Sequence, residues 1–64
     1  VYNIMNETLK KMIAESIEDE KSDIDKYHRM AEMARTEGNE HIAGVLEDIS
    51  HEERTHHKLL QEME

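Results

Sequence analysis

Glu53 and His56 stand three residues apart in the stretch ISHEERTHHKLL, Ile49 to Leu60. Positions three apart on a helix face the same way. A carboxylate oxygen and an imidazole nitrogen so placed can share one ion of iron, manganese or zinc. The pair alone says little, because Glu-x-x-His turns up on many solvated helices. Its weight comes from its surroundings. The apolar repeat there runs Ile42, Val45, Leu46, Ile49, then Leu60 and Met63, and the positions it skips are those of Glu53 and His56. Earlier in the chain the repeat Leu9, Ile13, Ile17, Ile24, Tyr27, Ala31, Ala34 skips one position, occupied by Glu20. At about 100° per residue, Glu20 falls near the middle of its stripe, and Glu53 and His56 fall within roughly 40° of the centre of theirs. Glu52 and His57 fall further to the sides. A carboxylate among apolar side chains is costly without a partner, so three such groups demand compensation.

The elements that must carry these residues are set by one break, RTEGNEHIA. Gly38 reads as the residue just past a helix C-terminus, where a left-handed backbone is cheapest for glycine. Asn39 reads as the N-cap of a second helix, with Glu40 in its first turn. The chain is thus predicted to form a first helix over about 6–37, capped by Asn6, a turn at 38–39, and a second helix over about 40–63. So short a turn forces the helices antiparallel. Glu20 lies 18 residues before Gly38, and Glu53 and His56 lie 15 and 18 residues after it. With a rise of about 1.5 Å per residue, the three come to a common level.

Composition agrees with a single all-α domain over 1–64. The chain has 64 residues, no proline, two glycines and 3% aromatics, which suits long helices and not sheets. It has no cysteine, which excludes disulfides and thiolate metal sites. The formal net charge of −8 disfavours nucleic acid and anionic membranes as partners. Most of that excess reads as a solvated face. No apolar run is long enough to span a bilayer and no signal-peptide pattern opens the sequence, so a cytoplasmic location is expected.

A core of this size rarely supplies more than about 3–5 kcal/mol without a metal or a partner. Two helices also leave an apolar face open. A homodimer solves both problems. Two hairpins form a four-helix bundle whose ligand set doubles to four glutamates and two histidines, and four carboxylates balance two divalent ions. This is the ferritin-like di-iron pattern of one Glu from each of two helices and Glu-x-x-His from each of the others.

EKSDIDKY, followed after a glycine turn by HEERTHHKLL, resembles one helix pair of a rubrerythrin-type, ferritin-like protein. The likeness covers nearly all of the chain beyond about the first dozen residues. It rests on Glu20, Tyr27, the EG turn and EERTH. Encapsulated ferritins are similar, with a shorter interval between the carboxylates. The resemblance implies Glu20, Glu53 and His56 as metal ligands, two iron ions per dimer, and Tyr27 as a hydrogen-bond donor to a ligand carboxylate. It offers Asp23, one turn beyond Glu20, as an extra ligand. It also implies iron oxidation by hydrogen peroxide or O₂, as a peroxidase with an external electron donor or as a ferroxidase. Higher oligomers and an encapsulating shell are further partners it brings in. Full rubrerythrins hold two such helix pairs in one chain, and many add a cysteine-ligated rubredoxin domain; this sequence has one pair and no cysteine.

Plainer readings stand beside these. Glu20 can reach solvent on a rotated helix, Glu53 and His56 can be a hydrogen-bonded pair without metal, and Tyr27 can simply fill core space. Asp23 is short enough to face solvent only. His28, His41, His51 and His57 read as surface histidines. Met12, Met30 and Met33 read as bundle or oligomer contacts. The competing function is a non-enzymatic helical dimerisation or cargo module, with a structural zinc or manganese ion or none. Metal stoichiometry with redox activity separates the two.

Overall fold

The first helix starts where an asparagine side chain can close it. Asn6 has an extended backbone and its Oδ1 accepts from the Leu9 amide at 2.7 Å, satisfying one of the free amides of the first turn. The computed structural model describes residues 6–64, so residues 1–5 of the domain expected over 1–64 lie outside the described residues. Helix α1 spans Glu7–Thr36 and helix α2 spans Glu40–Glu62, and there is no strand among the described residues.

The turn between them is a Schellman motif. The Asn39 amide donates to the Ala34 carbonyl at 2.8 Å and the Gly38 amide to the Arg35 carbonyl at 3.0 Å. Gly38 carries the required positive φ of 80°. Asn39 then caps α2, accepting from the Ile42 amide at 3.2 Å. Two polar residues, Glu37 and Asn39, and one glycine thus fold the chain back on itself with no loop to spare. The hairpin expected from the sequence is present, with Glu37 as the C-cap of α1 and Met63 as that of α2.

Small residues let the helices approach closely. The seam buries Ile13, Ile17, Ala31 and Ala34 from α1 against Ala43 and Ser50 from α2. Half-buried Ile24, Leu46 and Leu60 extend it. Near the turn, Arg35 pairs with Glu47 at 3.3 Å and Glu40 at 3.7 Å, and His28 lies 3.8 Å from Glu47. The molecule measures 51 × 18 × 9 Å, a slab one helix thick. No helix among the described residues is long and apolar enough to cross a membrane.

One expectation needs correction. The hairpin buries Ile13, Ile17, Ala31 and Ala34 of the first stripe, but it does not bury Leu9, nor Ile42, Val45 and Met63 of the second. Met30, Met33, Ile42 and Val45 near the turn, and Leu9, Met12, Leu59 and Met63 near the open end, remain 42–64% exposed. The physical reason is geometric. A stripe more than about 100° wide records every apolar neighbour a helix is built for, whereas one partner helix covers only its edge. At about 100° per residue, the uncovered positions of α1 and α2 fall to the same side of the slab.

Candidate metal centre

Glu20 from α1 and Glu53 and His56 from α2 meet midway along the hairpin. One ligand atom from each lies within 4.8 Å of the other two. His56 Nδ1 is 3.5 Å from Glu53 Oε1, the spacing of neighbours one helical turn apart. The level match follows from the tight turn, since both arms count residues from Gly38.

The electrostatics are those of two carboxyls pressed together. Glu20 Oε2 is buried without a hydrogen-bond partner among the described residues. The Glu20 carboxyl is held above the usual carboxylate range. A proton shared with the Glu53 carboxyl raises it most, then burial, then the negative charge of Glu53; the charge of His56 lowers it, and Asp23 adds a small upward push. Two carboxylates forced together disfavour ionisation unless a positive charge intervenes. A divalent ion fits this donor set: two oxygens and one imidazole nitrogen are ligands that iron, manganese and zinc all accept.

The three residues are not equally enclosed. The Glu53 side chain is 18% exposed, but that of His56 is 54% exposed and faces the open side of the slab. Beside it Glu20, His56, Leu59, Leu60 and Met63 line a shallow cavity of about 300 Å³. A hairpin alone therefore presents the site at a surface.

The other sequence candidates fall around this cluster. Asp23 is half-buried, outside the converging set, and its carboxylate sits 3.7 Å from Lys26. Tyr27 is half-buried two turns from Glu20, with the Lys26 ammonium 4.9 Å from its ring centroid. Among the described residues its hydroxyl makes no hydrogen bond to a site carboxylate. His57 was read as a surface residue and is half-buried, whereas His56 is the exposed one. The seam runs through Ala43, Ser50 and His57, seven residues apart, so His57 lies against α1 and His56 beside it on the open face. Ser50 was not singled out by type. Its signal was positional: seven residues after Ala43 and three before Glu53.

A comparison with family models gives a match to the one described as Rubrerythrin, over residues 11–64. The chain belongs to the rubrerythrin family. That membership covers the whole site, and it carries iron binding and a ferritin-like di-iron relationship with it. The comparisons with curated proteins and with solved structures give no match. This rubrerythrin-family hairpin thus brings two carboxylates and one histidine together as a donor set that could hold a metal ion.

Proposed function

We propose that two copies of this chain assemble as a ferritin-like four-helix bundle, hold two iron ions between them, and oxidise Fe(II) with hydrogen peroxide or O₂. The observation that carries the reading is the convergence of Glu20, Glu53 and His56 around a buried carboxylate oxygen that has no hydrogen-bond partner among the described residues. One hairpin offers three protein ligands at a surface. A second, applied to the open face, brings three more and closes it. The eight exposed apolar side chains on that face are the area such a contact would cover.

Each residue has a distinct task. Glu20 and Glu53 neutralise the ions and share them. His56 supplies a neutral nitrogen donor and fixes its side of the site. Tyr27 is assigned the orientation of a ligand carboxylate through its hydroxyl. Leu59, Leu60 and Met63 keep the flank of the site apolar, which strengthens the electrostatics within. When bound, iron supplies the one-electron couple that reduces the oxidant. These 64 residues hold no cysteine, so electrons for a peroxidase cycle come from a donor outside them. Ferrous iron persists in reducing compartments, and the cytoplasm is the location assigned here.

Anaerobic Fe(II) titration followed by hydrogen peroxide or O₂, watched by absorbance, tests the proposal. Saturation near one iron per chain and prompt ferric absorbance are expected, in a dimer by sedimentation equilibrium. Iron that stays ferrous under excess of both oxidants defeats the redox reading. It leaves a structural-metal or cargo module.

A further inference from the structure

We infer that Ser50 is a positioning residue for the metal site: its hydroxyl sets the axial register of Glu53 and His56 against Glu20. Ser50 is only 2% exposed, the one buried polar residue among those described. Its Oγ donates across the seam to the Ile24 carbonyl at 3.3 Å. The Arg35 side chain also donates across the helices, to Glu47, but that bond is exposed and near the turn.

Both ends of the Ser50 bond belong to the site's own neighbourhood. Ile24 lies one turn after Glu20, and Ser50 lies one turn before Glu53. The bond thus ties the two ligand-bearing turns to each other directly. The rest of the seam cannot do this. Ala31 and Ala43 are fully buried methyl contacts, and methyl surfaces permit sliding and small rotations at little cost. A hydroxyl bonded to one carbonyl has a single preferred position, because hydrogen bonds weaken steeply with distance and angle. An alanine at position 50 would continue the pattern of Ala31, Ala34 and Ala43. The serine adds no packing that alanine lacks; what it adds is direction.

Metal sites translate small displacements into affinity. A residue of helix is about 1.5 Å of rise and 100° of rotation, so a fraction of that step moves Glu53 and His56 off a shared ion. Groups that orient ligands without touching the metal typically affect binding about 10–100-fold.

The inference rests on the metal-site reading, and Co(II) titration separates the two. Cobalt takes the same oxygen and nitrogen donors, and its d–d absorption reports coordination geometry. Wild type, Ser50→Ala and Ala43→Gly are compared by Co(II) affinity, band shape and urea midpoint. The glycine variant loosens the same seam near the turn without touching a hydrogen bond. Ser50→Ala is expected to stay helical with a urea midpoint close to wild type. Its cobalt affinity should fall about 10–100-fold, with altered bands, while Ala43→Gly loses midpoint and keeps the bands. If wild type binds no cobalt, the site reading itself fails. If it binds and Ser50→Ala matches it in affinity and bands, the positioning role is overturned. It is equally overturned if Ser50→Ala fails to fold, or if Ala43→Gly loses affinity and band shape to the same extent.

Discussion

The two halves of this hairpin are built on opposite principles. Toward the turn, from about Ile24 to Ser50, polar groups find partners: Arg35 engages Glu40 and Glu47, His28 lies beside Glu32 and Glu47, and the Schellman motif satisfies the end of α1. Alanines at 31, 34 and 43 draw the helices together. Toward the open end, Glu20 and Glu53 face each other, and Glu20 Oε2 is buried with no hydrogen-bond partner among the described residues. Leu59 and Met63 lie exposed beside them. The turn half makes the hairpin; the open half carries unmet electrostatic demand. A half-buried pair of carboxyls is tolerated because the neighbouring half already specifies where the helices go.

The sharpest way to break this contrast is to remove the demand. Glu20→Ala is expected to abolish metal binding while leaving a helical apo protein of equal or greater stability, since it relieves the repulsion with Glu53. Metal analysis with circular dichroism decides it, and unfolding of apo Glu20→Ala would make Glu20 structural. A blow to the other half should do the reverse. Ala43→Leu forces four-carbon bulk into a fully buried seam position; overpacking of this kind costs about 1–3 kcal/mol. Its urea midpoint should drop even without metal present, which is where an intact midpoint would count against the seam.

A smaller effect is expected at the turn itself. Gly38 has φ 80° and open space around its α-carbon, so Gly38→Ala meets no clash, only backbone strain of about 1 kcal/mol. Thermal unfolding would register it. The pH dependence of the apo protein sharpens the comparison from the site side. The folded-state pKa of Glu20 is raised, so its contribution is fully present below the ordinary carboxylate value and is lost as pH rises through the raised one. Apo stability should therefore fall with rising pH across that window, and Glu20→Gln should flatten the slope. A slope unchanged by Glu20→Gln would assign it to other groups. Least is expected of Arg35→Ala: its pairs are exposed, and such bridges are worth about 0–1 kcal/mol.

What the sequence disclosed follows from the range of each signal. Asn6, Gly38 and Asn39 act on their own turn of backbone, so their types sufficed to place the helix ends. Glu20 and Glu53 were legible as interruptions of an apolar repeat, which is still a property of one helix at a time. Which neighbour covers each part of a stripe is not. Ile42 and Val45 read as inward, and the hairpin leaves them exposed, because the repeat sums over every contact a helix is built for. The same limit exchanged His56 and His57: a half-turn of seam angle decides which of two adjacent histidines is enclosed. Ser50 was illegible by type, since a serine on a helix is ordinarily solvent-facing. Only the tight seam through Ala43 makes it interior.

The turn at Gly38 has no slack, and this turns the hairpin into a ruler. Both arms measure the distance to the site in whole residues from the same origin. Inserting one residue between Glu20 and Gly38 would lift Glu20 by about 1.5 Å and swing it by about 100°, and no loop is present to absorb the difference. An insertion in one arm is tolerable only if the other arm gains the same length on the same face. Length variation among similar chains should therefore gather outside the interval from Glu20 to His56, at the ends of the arms, where adding or losing a turn leaves the marks on the ruler unmoved.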